Sequence, residues 1–276
     1  MPEGHVIHRL ARALTSRFGG RPVRSSSPQG RFAEASELLD GTVLDRADAV
    51  GKHLLVYFEA DRVVWVHLGL IGKFRFVEPG PPLSPQTLRW RLWNERAVAE
   101  LRGPQWCRLI TSEEAAEVVA SSGPDPIRPD ADPRRAWEAL TRSRRPIAAM
   151  LMDQKVFAGV GNIFRAETLF RLGIDPYLPA SELPREVFDE LWDDLVGLMR
   201  AAVGTGRIDT VEGDHSPEAM NRPPREDPHG GEVYVYRRAG FPCLVCGTEV
   251  ARAELAGRNL YWCPQCQPEG STGGAQ

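Results

Sequence analysis

The hydrophobic pattern predicts a helix that begins almost at the start of the chain. Between Pro2 and Phe18, apolar residues recur at helical spacing, with Val6, Leu10 and Leu14 on one face. Proline suits such a start, because the first turn of a helix has no use for a hydrogen bond from its nitrogen. We therefore expect an amphipathic helix with Pro2 at its N-terminal end.

The rest of the first 122 residues shows the pattern of strands. Residues 54–58 and 63–68 are rich in β-branched and aromatic side chains and are separated by a polar tetrapeptide, which predicts a hairpin. Residues 88–93 alternate between apolar and polar, and another short strand is expected at 97–101. These runs predict a strand-rich N-terminal domain of two packed sheets.

Proline, aspartate and glycine at residues 123–133 indicate a linker, after which the periodicity becomes helical. Helices are expected at 134–141, 146–152, 163–172 and 184–203. Residues 209–231 are rich in proline, charged residues and glycine, which favours a flexible loop. The last residues, from 267 to 276, are expected to form a disordered tail.

Composition limits the classes of protein to consider. The chain is 42% hydrophobic and 26% charged, which is typical of a globular protein, and it contains neither a membrane-spanning apolar run nor a signal-peptide pattern. We expect a cytoplasmic protein without a membrane partner. The formal net charge of -3 argues against nucleic acid as a ligand, although a basic surface can be local.

The cationic residues are strongly biased toward arginine. Of 34 cations, only Lys52, Lys73 and Lys155 are lysines. A compact ammonium and a planar guanidinium are not interchangeable, so these lysines are candidates for positions that need a point charge. The alternative is that three lysines remain by chance.

Two CxxC pairs lie near the C-terminus, separated by 16 residues, and they consist of Cys243, Cys246, Cys263 and Cys266. This spacing predicts one structural zinc ion held by four thiolates on a β-hairpin. Two disulfides are disfavoured in a cytoplasmic chain. The remaining Cys107 is expected to be a small buried side chain.

Glycines punctuate two further segments that could contact a ligand. Between two predicted helices, residues 153–162 contain Gly159 and Gly161 and end in Asn162, so the start of the second helix could hold a phosphate or could simply be capped by the asparagine. Residues 67–73 place apolar Leu70 between glycines. Such a residue belongs either to the core or to a loop tip that wedges between stacked bases.

The N-terminus itself is a candidate for chemistry. Removal of Met1 would leave Pro2 with a free secondary amine, a fraction of which is unprotonated at neutral pH. An amine of this kind attacks an aldehyde carbon and loses water to give an iminium. Glu3 beside it is a candidate proton carrier. Many chains begin Met-Pro without any such function, so this hypothesis needs support from elsewhere in the chain.

That support comes from a series of motifs in order along the chain: Met1-Pro2-Glu3-Gly4, Gly51-Lys52-His53-Leu54-Leu55, His67-Leu68-Gly69, Gly123-Pro124-Asp125, the run from Asp153 to Asn162, and Arg258 to Cys266. Together they resemble the formamidopyrimidine-DNA glycosylase and endonuclease VIII family of base-excision repair enzymes. The opening Pro-Glu-Gly-His is closer to the endonuclease VIII branch.

The resemblance implies an α+β multidomain fold and divides the chain as follows: an N-terminal catalytic β-sandwich domain with a leading helix at 1–122, a helix-two-turn-helix DNA-binding domain at 123–208, a flexible loop at 209–235, a zinc-finger β-hairpin at 236–268 and a disordered tail at 269–276. It also implies a monomer that acts on damaged DNA, duplex or single-stranded, and that is associated with the nucleoid.

Residue roles follow from the resemblance in the same way. Pro2 would form a Schiff base with the sugar of the damaged nucleotide, and strand cleavage by β,δ-elimination would follow. Glu3 and Lys52 would assist catalysis. DNA contacts are implied for Asn162 and Arg258 at phosphates, for Leu70 with Ile71 in the base stack, and for Lys155.

The sequence departs from the family pattern at His5, where many members have a second Pro-Glu pair, in the residues of the predicted wedge, and in the loop at 209–231. Oxidised pyrimidines are the expected substrates. Lys155 keeps open a formamidopyrimidine-type enzyme that prefers 8-oxoguanine. A non-catalytic DNA-binding protein on the same scaffold is a further alternative, whereas a zinc-ribbon interaction module would explain only the C-terminal segment.

Overall fold

A computed structural model describes residues 2–227 and 231–273. The chain divides into two compact units, Met1–Ser121 and Ser122–Gln276. Among the described residues, no helix combines the length and the apolar character needed to cross a membrane.

The elements of the first unit are α1 (Gly4–Phe18), β1 (Arg21–Pro22), β2 (Arg24–Ser26), α2 (Ala33–Leu39), β3 (Val43–Val50), β4 (His53–Phe58), β5 (Arg62–His67), β6 (Lys73–Val77), β7 (Leu88–Trp93), β8 (Val98–Arg102), β9 (Trp106–Ile110) and α3 (Ser112–Ser121). The strands form a five-stranded sheet, in the order β1-β3-β4-β5-β9, and a four-stranded sheet, in the order β2-β7-β8-β6. Neighbouring strands in both sheets are antiparallel throughout the part of the unit that the structure describes.

The two sheets pack face to face, which confirms the predicted β-sandwich. Alternate residues of β4 and β5, such as Val56 and Val64, share one buried cluster with Trp90 and Leu101 of the other sheet. The predicted hairpin at 54–68 is also confirmed, because β4 and β5 pair in register through Leu54 and Val66.

Seven elements of this unit were not predicted individually: β1, β2, α2, β3, β6, β9 and α3. Strand β3 carries Asp45, Arg46 and Asp48, which interrupt its apolar positions, so the sequence shows no regular alternation along it. Helix α3 buries only Ala115, against the outer face of the five-stranded sheet. A helix with such a narrow buried face has little hydrophobic periodicity.

The second unit contains α4 (Arg134–Thr141), α5 (Ile147–Met150), α6 (Asn162–Arg171), α7 (Arg185–Thr205), β10 (Ala251–Leu255) and β11 (Arg258–Trp262). Each predicted helix is present; α4 has the predicted ends, and the ends of the other three are shifted. The expected helix at 146–152 is reduced to the single turn α5, since Gly, Asp and Gln in the following segment take part in a hydrogen-bonded loop instead. The strands β10 and β11 form a two-stranded antiparallel hairpin.

Residues 209–235 were expected to form a flexible loop, but hydrogen bonds hold both ends of this segment in the structure. Glu167 of α6 is fully buried, and its carboxylate accepts hydrogen bonds from the backbone N–H groups of Tyr234, Val235 and Tyr236 at 2.7–2.9 Å. Thr210 also donates to this carboxylate. Several donors compensate the cost of burying one carboxylate, and they tie both ends of the loop to the helix. Residues 228–230 lie outside the described residues.

The structure also differs from the expected disordered tail. Gln267 is buried and donates to the backbone oxygen of Ile174 at 2.9 Å, and Gly270 donates to Asp175 at 2.8 Å. Thr272 forms a β-bridge with Ile174. Polar side chains thus hold residues 269–273 in place, which hydrophobic patterning does not reveal. Residues 274–276 lie outside the described residues.

Candidate active site and DNA-binding surfaces

Helix α1 fixes the position of the chain terminus. Its apolar face, including Ile7, Leu10 and Leu14, is buried in the core of the sandwich. Pro2 is half-buried just before the first turn, and Glu3 is only 3% exposed and accepts a hydrogen bond from the Val6 N–H through its backbone oxygen. A terminus that would otherwise fray is therefore held in a defined place.

Lys52 occupies a tight turn between β3 and β4. Val50 pairs with His53, so the hairpin loop consists of Gly51 and Lys52 alone. Gly51 has a φ of +56°, a backbone conformation that glycine adopts without steric cost. The short loop therefore fixes the backbone of Lys52 at the ends of the two strands.

A small pocket brings the terminus and this turn together. Its lining consists of Pro2, Ile7, Lys52, His67, Leu68 and Gly69. These residues come from the start of α1, from the β3–β4 turn and from the end of β5. The sequence motifs at 1–4, 51–55 and 67–69 therefore meet at one place within the first unit.

His67 is a polar residue of this pocket to which the sequence analysis gave no role. Burial and the charge of Lys52 lower the pKa of His67, while a hydrogen bond with the side chain of Gln105 acts in the opposite direction. Its Nδ1 accepts a hydrogen bond from the Gly69 N–H at 3.2 Å, which leaves the proton of the neutral ring on Nε2. The ring also stacks on Trp106, with centroids 4.5 Å apart.

The segment that follows His67 is a tight turn with an apolar tip. Leu68 is buried, whereas Leu70 and Ile71 are 63% and 79% exposed. The Gly72 N–H donates to the Leu68 oxygen at 3.1 Å, and a Cβ at Gly72 would lie 2.2 Å from that oxygen. The alternative that Leu70 is a core residue is therefore wrong.

In the second unit, Gln154 organises the loop between α5 and α6. Its side-chain nitrogen donates to the backbone oxygens of Met152 and Val160, and its oxygen accepts from the Gly159 N–H at 3.0 Å. Gly159 has a φ of +88°. Lys155 is exposed on this loop. One amide side chain thus replaces the backbone hydrogen bonds that a helix would have provided.

Asn162 does not cap α6. Gly161 takes the capping position, and Asn162 is the first helical residue. Its side-chain nitrogen donates to the backbone oxygen of Asn259 in β11 at 2.9 Å, and its oxygen accepts from Arg165. Fully buried Arg165 donates to the same Asn259 oxygen at 2.9 Å. The start of α6 and the zinc hairpin are therefore joined at one carbonyl group.

Arg258 follows the turn of this hairpin directly. Leu255 pairs with Arg258 across the loop Ala256-Gly257, and both loop residues have positive φ, as in a type I′ turn. Since Asn259 is bonded to Asn162, the two residues that the resemblance assigned to phosphate contacts lie near each other within the second unit.

The four cysteines of the CxxC pairs form one cluster. Their sulfur atoms all lie within 4.8 Å of one another, with 3.9 Å between Cys243 and Cys266 and 3.4 Å between Cys246 and Cys263. Four thiolates about 2.3 Å from a tetrahedral zinc ion lie about 3.8 Å apart, whereas a disulfide requires about 2.05 Å. The geometry fits a zinc ion and excludes disulfides.

Family models match three parts of the chain. They describe the formamidopyrimidine-DNA glycosylase N-terminal domain at residues 1–103, the formamidopyrimidine-DNA glycosylase H2TH domain at 122–212, and a zinc finger found in FPG and IleRS at 240–268. "Endonuclease 8 1" of Mycobacterium tuberculosis is 48% identical over 97% of this chain and all of its own length. This chain belongs to the formamidopyrimidine-DNA glycosylase and endonuclease VIII family. Both the predicted family and the predicted zinc finger are confirmed.

Other family members are more distant. "Probable endonuclease 8 2" of Streptomyces coelicolor is 35% identical over 99% of this chain and 98% of its own. Formamidopyrimidine-DNA glycosylase of Parasynechococcus marenigrum is 35% identical over 97% of this chain and all of its own. The crystal structure of the Lactococcus lactis glycosylase bound to DNA with an abasic site matches with a TM-score of 0.77 at 23% identity, over 97% of this chain and all of that one, which shows the same fold.

The structure brings the predicted site residues of this family member into two groups, one in each unit. Pro2, Glu3, Lys52 and Leu70 lie in the first unit; Asn162, Arg258, Lys155 and the four cysteines lie in the second. Neither His67 nor Arg165 was assigned a role from the sequence. His67 lies within the motif His67-Leu68-Gly69, which could have drawn attention to it, whereas Arg165 gives no signal, because a buried arginine cannot be told from a surface arginine in a sequence.

Acid should destabilise the fold through His5 and His53. Burial, followed by the effect of neighbouring cationic side chains, lowers the pKa of each to about 4, against 6.5 in an unfolded chain. Above pH 6.5 the two imidazoles are unprotonated in both the folded and the unfolded chain. Between pH 6.5 and 4 they take up protons in the unfolded chain only. The free energy of unfolding therefore falls over this window, by about 1.4 kcal/mol per pKa unit and histidine.

Urea denaturation at pH 7.5, 6.5, 5.5 and 4.5 tests this expectation. The double variant His5→Gln, His53→Gln should show a smaller loss of stability between pH 6.5 and 4.5, whatever its stability at pH 7.5. If the native protein and the double variant lose the same free energy over that window, other groups cause the acid sensitivity.

Removal of zinc should undo the C-terminal hairpin. Cys246→Ser should lower the metal content from one zinc ion per chain and unfold β10 and β11, because thiolate coordination supplies the stability that so small a hairpin lacks. Elemental analysis measures the zinc, and hydrogen exchange of residues 251–262 measures the hairpin. The matched control is Cys107→Ala, which removes a buried thiol in the first unit and should leave the zinc content unchanged.

Proposed function

We propose that the secondary amine of Pro2, exposed by removal of Met1, is the nucleophile of a bifunctional DNA glycosylase and AP lyase. The protein is a DNA repair enzyme of its family, a DNA glycosylase with AP lyase activity in base-excision repair. The proposal concerns how it does this, which residues take part, and which lesions it prefers. The observation that carries it is the pocket in which Pro2 meets Lys52 and His67.

The chemistry follows from the amine. Its lone pair attacks C1′ of the damaged nucleotide, the bond from C1′ to the base breaks, and the base leaves with a proton. Opening of the sugar ring gives an iminium between Pro2 and C1′. The iminium acidifies the C2′ proton, so loss of that proton expels the 3′ phosphate by β-elimination. A second elimination expels the 5′ phosphate, and water then releases the protein.

Glu3 is the group best placed to move protons in these steps. It lies next to Pro2 and is almost completely buried, in a site where a carboxyl group can exchange protons with the sugar rather than with bulk water. We propose that it protonates the ring oxygen of the sugar as the ring opens. Water remains necessary only for the final hydrolysis of the iminium.

Phosphate contacts are proposed for both units. Lys52 supplies a compact positive charge, and neutral His67 supplies an Nε2–H donor beside it. In the second unit, Asn162 and Arg258 provide an amide and a guanidinium near each other, and exposed Lys155 lies on the loop before α6. Such contacts position the backbone and leave the reading of the base to the pocket.

Leu70 and Ile71 are proposed as the wedge that fills the stack when the damaged base is flipped out. Their exposure on a tight turn adjacent to His67 supports this role, because the transfer of apolar side chains from water into a base stack is favourable. The preference for oxidised pyrimidines is supported by sequence similarity. The chain is 48% identical to "Endonuclease 8 1" of Mycobacterium tuberculosis but 35% identical to the formamidopyrimidine-DNA glycosylase of Parasynechococcus marenigrum. Action as a monomer and association with the nucleoid are part of the proposal.

Borohydride trapping tests the nucleophile. With a duplex that carries an abasic site, native protein lacking Met1 should give a covalent protein–DNA adduct, because borohydride reduces the iminium to a stable amine. A form with extra residues before Pro2 should give none, while it still binds the duplex. Pro2→Gly keeps a terminal amine and should trap more weakly. Absence of an adduct with native protein that binds the DNA would favour a non-catalytic binding protein.

Lesion preference requires a separate measurement. On otherwise identical duplexes, native protein should release an oxidised pyrimidine such as thymine glycol faster than 8-oxoguanine, measured as single-turnover rate constants with enzyme in excess. An abasic site in the same sequence serves as control for the lyase step. Faster release of 8-oxoguanine would place the protein with the formamidopyrimidine-type enzymes.

A further inference from the structure

The outer face of the four-stranded sheet carries a cationic groove that takes no part in the chemistry above. A cavity of about 400 Å³ is lined by Lys73, Arg75, Val77, Leu83, Ser84, Thr87, Glu100 and Arg102. All these residues belong to β6, to β8 or to the connection between β6 and β7. The groove is thus a feature of the first unit alone.

One wall of the groove is built by Arg102. Its guanidinium donates to the backbone oxygens of Leu83 and Ser84, to the hydroxyl of Thr87 and to the carboxylate of Glu100. These bonds hold the connection between β6 and β7 against the sheet. Because its donors are used in this way, Arg102 shapes the groove and keeps little capacity for a ligand.

The negative charge inside the groove is already neutralised. Buried Glu100 lies 2.7 Å from Arg102 and 3.7 Å from Arg91. The remaining cations, Lys73 and Arg75, are exposed, and their side chains form no hydrogen bond or ion pair with any other described residue. The lining therefore carries three cations, Lys73, Arg75 and Arg102, against the one carboxylate of Glu100, and it is positive in a chain whose formal net charge is -3.

The position of Lys73 relates the groove to the site of reaction. Lys73 follows Gly72, the last residue of the turn that presents Leu70 and Ile71. From there β6 runs away from that turn, and its outward side chains are Lys73, Arg75 and then Val77. A strand of DNA that is engaged by the wedge and continues past it would meet positive charge first and an apolar surface afterwards.

We propose that this groove binds the sugar-phosphate backbone of DNA flanking the lesion, with Lys73 and Arg75 as its phosphate contacts. Apolar Val77 and 82% exposed Leu83 would accept the sugars or bases of the same segment. Lys73 is the lysine of this arginine-biased chain for which neither catalysis nor the other DNA contacts provide a role. This inference rests on the proposed function only in taking DNA as the ligand.

The salt dependence of binding provides the test. Each lost phosphate contact lowers the slope of log K against log salt concentration by about 0.9 on a duplex. Lys73→Ala, Arg75→Ala should therefore bind a duplex with an uncleavable abasic-site analogue with a slope about 1.8 smaller than that of native protein. Lys73→Arg should keep the native slope.

Two controls make the result specific. Arg200→Ala removes an exposed arginine of α7 and should leave the slope unchanged. Stepwise shortening of the duplex on one side and then on the other should abolish the difference between native protein and the double variant at one definite flank length. Circular dichroism and melting temperature of the double variant should match those of native protein, since neither side chain forms a hydrogen bond or ion pair with another residue that the structure describes.

Each outcome decides a different question. An unchanged slope in the double variant, or an equal drop in Arg200→Ala, overturns the groove and leaves the proposed chemistry intact, provided that native protein gives the borohydride adduct. Failure of native protein to form that adduct overturns the chemistry without affecting the slope measurement. If the double variant has a native slope but loses binding to an acidic peptide, the groove is a protein-binding surface and the proposal is wrong.

Discussion

The burial of one face of α1 in the β-sandwich is the interaction on which the proposed catalysis depends. A chain terminus is ordinarily the least ordered part of a domain, yet the proposed nucleophile is the first residue of the processed chain. Ile7 anchors the helix within two turns of Pro2, and Leu10 and Leu14 continue the buried face along it. Pro2 thereby becomes part of a defined pocket, so that the proposed nucleophile lies beside Lys52 and His67 before substrate binds.

The second unit solves a similar problem with polar groups. Helix α6 carries Asn162 and Arg165 at its start and Glu167 one turn later. Asn162 and Arg165 donate hydrogen bonds to one carbonyl oxygen of the zinc hairpin. Glu167 accepts hydrogen bonds from the backbone N–H groups of residues 234–236. Removal of any one partner would leave buried polar groups unsatisfied, which costs more than the hydrogen bond itself contributes. This helix therefore connects three segments that are distant in the sequence.

Local charge reconciles an acidic chain with a polyanionic substrate. The chain as a whole is slightly negative, but the charged side chains proposed to contact phosphates, among them Lys52, Lys73 and Arg258, are cations. Other arginines donate their hydrogen bonds within the protein, as Arg102 does in the wall of the groove and Arg165 does at the hairpin. The net charge of the chain is therefore a poor guide to DNA binding, because some cations stabilise the fold and others are available to a ligand. What matters is which cations retain donors for a ligand.

The sequence alone determined the family, the zinc site, the sandwich and the candidate nucleophile, because each depends on local spacing: CxxC pairs, alternating strands, or a proline before a helix. Tertiary structure decided that Leu70 is exposed, that Asn162 binds Asn259 instead of capping α6, and that residues 269–273 are held in place. It also revealed His67 in the pocket and the groove at Lys73. These features depend on contacts between residues far apart in the chain, and periodicity carries no information about such contacts.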